Sequence, residues 1–187
     1  EYSIEGLHYD GKTEVIQFTE KKTTEFPYNV ELGHKQPANL TDEQKQAIRE
    51  IVSKIGKALK FENSPSHTEL KINERGIFVI ETSPRLGGDY ITSTLVPLST
   101  GINMEDQLLH ISLGEKVDTT TNRLDKASGV CFLNLPCGKV TAIDDAIKEV
   151  ETWPNVMEFS TSLKVGDEIY PSTSSPNRYG RFIVQAD

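Results

Sequence analysis

Apolar and polar residues alternate in several short runs of the chain. From Glu1 to His8, Tyr2 and Ile4, with His8, share one side, while Ser3, Glu5 and Leu7 share the other. That is the period of a strand. Asp10-Gly11 is a tight-turn signal, and Thr13 to Thr19, extending to Lys22, reads as the return strand. A second hairpin is expected further on. Ser66 to Ile72 places His67, Glu69 and Lys71 on one face and Thr68, Leu70 and Ile72 on the other, and Ile77 to Thr82 is rich in β-branched and aromatic residues. Between the hairpins the period changes. Ala47, Ile48, Ile51, Val52, Ile55, Ala58 and Leu59 form one stripe, and Thr41 with Gln44 makes a capping box. This predicts a helix over Thr41 to Leu59 that packs on a sheet.

Elsewhere the pattern is weaker. Thr24 to Leu40 contains Pro27, Gly33 and Pro37, shows no periodicity and reads as a long loop. After the second hairpin, Pro84, Arg85 and the turn Leu86-Gly87-Gly88-Asp89 precede a short helix expected from Tyr90 to about Leu98, with Asp89 as its cap. Asn103 caps a helix from Met104 to Leu113, which Gly114 ends. Lys116 to Lys126 reads as a linker. Strands are expected over Gly129 to Leu135, Val140 to Ile143, Val156 to Ser160 and Arg181 to Gln185, with a short helix begun by Asp144 or Asp145. The expected fold class is α+β. Residues 1–118 form an antiparallel sheet with packed helices, and residues 119–187 form a small, largely antiparallel α+β module in which we identify no chemistry.

The register of the second hairpin raises a chemical question. If Glu74, Arg75 and Gly76 form its loop, Lys71 faces Val79 and Glu69 faces Glu81. Like charges directly opposite each other are destabilising. A divalent cation would reconcile them, since hard cations take carboxylate oxygens. A solvated hairpin edge on which the two side chains diverge is the alternative. Glu1 and Glu5 read as solvated strand positions. In the Thr24–Leu40 loop, His34 is a candidate because Glu31 stands three residues before it. Gly87 and Gly88, beside Arg85 and a helix start, suit an anion such as a carboxylate or phosphate.

Composition narrows the classes. The chain has 187 residues and a formal net charge of −8, from 28 acidic and 20 basic residues. That charge argues against nucleic acid as a partner, and no apolar run is long enough to suggest a membrane span. Cys131 and Cys137 are too few for a disulfide framework or a zinc cluster and read as reduced, partly buried thiols. A cytoplasmic location is expected. Exposed apolar residues of the last module could support a homodimer. The strand-like opening without an initiator Met leads us to expect a fragment of a longer chain.

Taken together, Glu69, the run Glu81-Thr82-Ser83-Pro84-Arg85, the turn Leu86-Gly87-Gly88-Asp89 and the later Ser99-Thr100-Gly101-Ile102 resemble the carboxy-terminal lobe of an ATP-grasp enzyme. Within that superfamily the resemblance is greatest to carboxylate–amine ligases, including the L-amino-acid ligases. It covers roughly Glu1 to Lys116, and the terminal module resembles the antiparallel domain that follows the lobe in such enzymes. It implies ATP and Mg2+ or Mn2+ as cofactors, and a carboxylate and an amine, both of amino-acid type, as substrates. It implies that Glu69 and Glu81 hold the metal against the nucleotide phosphates and that Arg85 stabilises the transferring phosphoryl group. Gly87 and Gly88 would receive the amino-acid substrate, and Glu31 and His34 would form a substrate-side pair. Ser83 stands where most members have a metal-binding asparagine. The segments that complete such a site lie upstream of these motifs, and none is recognisable here. The expectation is therefore a carboxy-terminal part of an ADP-forming ligase, inactive alone. Two alternatives stay open: a non-catalytic ligand- or metal-binding module derived from the same lobe, and a carboxylase of the biotin or purine-biosynthesis type.

Overall fold

The computed structural model describes residues 1–187, the side chain of Ala146 excepted. Strands β1 (Tyr2–Tyr9), β2 (Lys12–Thr23) and β3 (Glu31–Gln36) lead into helix α1 (Asp42–Leu59). Strands β4 (Ser64–Asn73) and β5 (Gly76–Ser83) follow. A π-helical turn (Ile91–Leu95) runs directly into α2 (Val96–Thr100), and α3 (Met104–Leu113) comes next. The remainder contributes β6 (Ala127–Phe132), β7 (Gly138–Lys139), a 3-10 segment (Asp145–Thr152), β8 (Val156–Thr161), β9 (Glu168–Ile169) and β10 (Gly180–Ala186).

One eight-stranded antiparallel sheet, in the order β5-β4-β1-β2-β3-β6-β10-β8, organises the chain, and β7 pairs with β9 apart from it. The expected boundary near residue 118 falls between α3 and β6. Beyond it, β6 joins the same sheet by pairing with β3, Gly33 opposite Cys131 and His34 opposite Val130.

The alternating sequences bury both sides of this sheet. Ile4, Val15, Phe18 and Leu70 meet Ile48 and Val52 of α1 on one face. Leu7 and Ile16 meet Val96, Met104 and Ile111 on the other. Thr41 caps α1 with both bonds of the capping box, and Asn103 caps α3 by accepting from the Glu105 and Asp106 amides.

Several expectations are corrected. The segment read as a long loop contains β3, a strand near the middle of the sheet; its periodicity is broken by a bulge at Leu32, since Lys22 faces Gly33 and Thr23 faces Glu31. The hairpin turn consists of Glu74-Arg75, with Asn73 opposite Gly76 and Lys71 opposite Phe78. Ile80 is then bulged, which restores Glu69 opposite Glu81. Asp89 caps no helix: the turn after it begins at Tyr90 without a side-chain cap. Val140 to Ile143 forms no strand. Both cysteines are free and exposed rather than partly buried.

Candidate functional site

On the sheet face beneath the Gly87–Asp89 turn, polar side chains take the place of an apolar core. The alternation of β2 puts Gln17, Thr19 and Lys21 inward, all buried. Gln17 Nε2 donates to Ser99 Oγ of α2 at 2.8 Å, and Ser99 Oγ donates to Gln36 at 3.0 Å. Buried polar groups of this kind need partners, and here they hold α2 onto the strands.

Next to them is a row of alternating charges. Glu5 of β1 is fully buried, and its Oε1 lies 2.7 Å from His67 Nδ1 on β4. This overturns the reading of Glu5 as a solvated position. Glu1, by contrast, is partly exposed and pairs with Lys71 at 2.6 Å. His67 Nε2 faces Glu69 Oε1 at 3.4 Å, the same oxygen that accepts from Lys21 Nζ at 2.6 Å. Lys21 Nζ also lies 3.5 Å from Glu31 Oε1. Burial alone would lower the His67 pKa, but the bond to Glu5 and the nearby Glu69 carry it up to about 9. The His67 contact, opposed by burial and reinforced by Lys21, holds Glu69 down at about 2. Lys21 is raised as well: its bond to Glu69 and the charge of Glu31 outweigh its burial.

Glu31 and His34, three residues apart, would face opposite ways on a regular strand. The bulge at Leu32 turns both toward this row. With Lys21, Glu69, Arg85, Gly88 and Asp89 they line a cavity of 190 Å³. His34 is buried, and neither of its ring nitrogens has a hydrogen-bond partner among the described residues. Its Nε2 is 3.7 Å from Asp89 Oδ2. Arg178 donates to both Asp89 oxygens, at 2.8 and 3.0 Å. His34 and Arg178 together hold the Asp89 carboxyl well below its usual range, and the Arg178 bonds are the closer contact. The terminal third of the chain, in which we identified no chemistry, thus supplies a residue that holds a wall of the cavity.

Of the other expected residues, Arg85 and Gly88 line the cavity, whereas Glu81, Ser83 and Gly87 are not in its lining. Glu81 and Ser83 lie on the edge strand β5, opposite Glu69 and His67. The Glu81 carboxylate is exposed and has no hydrogen-bond or ion-pair partner among the described residues. Arg85 reaches no carboxylate; its Nη1 donates to the Leu86 carbonyl at 3.0 Å. Gly87 is pressed against the buried pair, so that a Cβ there would lie 2.8 Å from both Glu5 Oε2 and His67 Nδ1. Gly88 has open space beside it.

Glu69, Glu81 and Ser83 offer two carboxylates and a hydroxyl, an oxygen set suited to a hard cation. Lys21 and His67 both engage Oε1 of Glu69 and leave its second oxygen free. Among the described residues no three His, Cys, Asp or Glu side chains converge as ready ligands. A cation here would therefore complete its shell with water or phosphate oxygens, as Mg2+ does. The residues fit such an ion.

Sequence reasoning missed Glu5, Lys21, His67 and Arg178 as members of the site. His67 carried a signal, since alternation put it on the face of Glu69. Arg178 carried none.

Residues 1–93 match the ATP-grasp domain family, and the likeness to solved structures shows an ATP-grasp fold. The chain superimposes on the L-amino acid ligase from Bacillus licheniformis with a TM-score of 0.82, at 25% identity, covering 99% of this chain and 46% of that one. It superimposes on phosphoribosylglycinamide synthetase from Anaerococcus prevotii with a TM-score of 0.75, at 18% identity, covering 99% of this chain and 47% of that one. In sequence it is 29% identical over 175 residues to alanine–anticapsin ligase from Bacillus amyloliquefaciens, covering 86% of this chain and 36% of the relative. The chain therefore corresponds to less than half the length of each of these proteins. No helix among the described residues is long and apolar enough to cross a membrane.

Proposed function

We propose that the chain is the carboxy-terminal part of an ATP-dependent, ADP-forming carboxylate–amine ligase that acts on amino acids through an acyl phosphate. The observation that carries this reading is the junction of two kinds of site in one cavity. On one side is Glu69, held ionised opposite the unpartnered Glu81 and near Arg85. On the other are Glu31, His34 and Asp89, a polar set suited to an amine.

In this reading Glu69, Glu81 and Ser83 hold Mg2+, or Mn2+ in its place. The ion, when bound, neutralises phosphate charge and orients the nucleotide. Lys21 and His67 keep Glu69 ionised and fix its orientation, leaving one oxygen outward. The substrate carboxylate attacks the γ-phosphorus, the bond to ADP breaks, and Arg85 stabilises the charge on the transferring group. The amine nitrogen then attacks the acyl carbon, and phosphate leaves with the bonding electrons. His34, whose Nε2 lies 3.7 Å from Asp89 Oδ2, takes the proton that the amine releases, and Asp89 offsets the charge it gains; Glu31 lines the same cavity. Gly87 and Gly88 let the acceptor approach the backbone.

The remaining features of the reading are a cytoplasmic location, a homodimer supported by exposed apolar residues such as Trp153 and Met157, and no turnover by the isolated 187 residues. The decisive experiment uses the full-length protein. Glu81→Gln is expected to abolish ADP release with every accepted amino acid, and wild-type rates in that variant would remove Glu81 from the metal site. Ligase turnover by the isolated chain would overturn its assignment as an incomplete part.

A further inference from the structure

Asp89 is also a wall of a second cleft, of 250 Å³, lined by Tyr90, Phe132, Ser175, Arg178 and Arg181. Both guanidiniums lie over aromatic rings, Arg178 at 3.9 Å from the Phe132 centroid and Arg181 at 4.3 Å from that of Tyr90. Such stacking fixes a guanidinium plane and leaves its N–H edge free for a planar acceptor. Arg178 is committed: besides its two bonds to Asp89, its Nε donates to the Ser175 carbonyl at 3.0 Å. Arg181 is only half committed. Its Nη2 reaches Glu158, but its Nε is buried and has no hydrogen-bond partner among the described residues. A buried donor left unpaired costs free energy that an acceptor would recover. Strand pairing on both sides, with Phe132 and with Ser160, makes the position rigid.

We infer that this cleft receives the carboxylate of an amino acid that serves as the amine substrate, with Arg181 as its donor. The assignment rests on the ligase reading above. An amino acid carries a nitrogen and a carboxylate a few ångströms apart. Asp89 borders both cavities, so the nitrogen would lie in the first, near Asp89 and His34, while the carboxylate lies in the second. Arg178 offsets Asp89, and Arg181, which also pairs with Glu158, supplies its unpartnered Nε to the incoming carboxylate. A carboxylate also matches the forked geometry of a guanidinium better than a neutral amide does.

The test uses the full-length protein. ADP release identifies an accepted amine among the proteinogenic amino acids, and that amino acid is then compared with its own amide. Wild type should favour the free acid by at least about tenfold in kcat/KM, because an amide leaves the Arg181 edge without its charged partner. Arg181→Gln should erase that preference, and Arg181→Lys should retain part of it. A wild type that uses acid and amide equally overturns the assignment without any variant, as does an Arg181→Gln protein that keeps the preference. Hydroxylamine, a nucleophile with no carboxylate, separates the two layers by trapping an acyl phosphate as a hydroxamate. Hydroxamate formation without discrimination refutes the cleft alone. No hydroxamate from the wild type refutes the ligase reading and this assignment with it.

Discussion

Replacing Glu5 with Gln probes the buried pair at the base of the site. Glu5 has no accessible surface, and its partner His67 is 4% exposed. Carboxylates stand against both ring nitrogens of His67, and its pKa is about 9, against 6.5 in the unfolded chain. A folded-state pKa above the unfolded one means that the folded protein keeps a proton the unfolded chain gives up. The contribution is therefore complete below pH 6.5 and fades as the pH rises toward about 9. The interval corresponds to roughly 3 kcal/mol. Gln keeps the shape and an amide oxygen that can accept from Nδ1, but it lacks the charge. A hydrogen bond to a charged group contributes about 1.5–3 kcal/mol and a neutral one about 0.5–1.5 kcal/mol, so the variant should be about 1–2 kcal/mol less stable near neutral pH. Once His67 is neutral, the wild type carries a buried carboxylate with no cation beside it, and its advantage should close or reverse. Urea unfolding of both proteins at about pH 6 and about pH 10 measures the difference, and groups that titrate alike in the two proteins cancel. A difference that is the same at both pH values would refute the His67–Glu5 account.

Other perturbations test neighbouring contacts. Gly87→Ala should cost about 1–3 kcal/mol in urea unfolding, because its Cβ would press on the buried Glu5–His67 pair. Gly88→Ala meets nothing within 4 Å and should change stability by less than about 0.5 kcal/mol; equal effects would contradict the packing described. Lys21→Met leaves Glu69 and Glu31 without the cation between them and should cost about 2–3 kcal/mol, the partial exposure of both glutamates being allowed for. Asp89, held below its usual pKa, stabilises the fold above 3.8 and loses that contribution as pH falls. Arg178→Ala should therefore weaken the protein at neutral pH and flatten its acid-unfolding limb, and an unchanged acid limb would count against the Arg178–Asp89 pair.

The hairpin register shows what the sequence could and could not convey. Alternation assigned the faces of β1 and β4 because one face of each meets the apolar stripe of α1. It could not reveal bulges, since an extra residue in a strand looks like any other residue. The pairing of Glu69 with Glu81 was nevertheless expected, from a loop one residue too long; the bulge at Ile80 offsets that difference. At β3 the same kind of irregularity hid the strand, because the bulge at Leu32 puts Glu31 and His34 on one side and breaks the period of two. Glu5 and Lys21 were illegible for another reason. A polar residue in an alternating strand reads as a solvent-facing one. These two are buried because a turn some 80 residues beyond Glu5 in the sequence folds over that face. Arg178 reaches Asp89 across 89 positions, and only the register of β6 and β10 brings them together.

Those distant contacts also explain how a sheet tolerates so many buried charges. Along Glu5, His67, Glu69, Lys21 and Glu31 the sign alternates at every step, and each interior member has an opposite charge on either side. Desolvation is offset by neighbours at every interior position, which is the condition under which buried charges are tolerated. Glu81 breaks the pattern. It faces Glu69 across the strands with no cation of its own. The same alternation that stabilises the row thus leaves one carboxylate unmatched at the edge of the sheet. A cation between Glu69 and Glu81 would continue the sequence of signs by one further step.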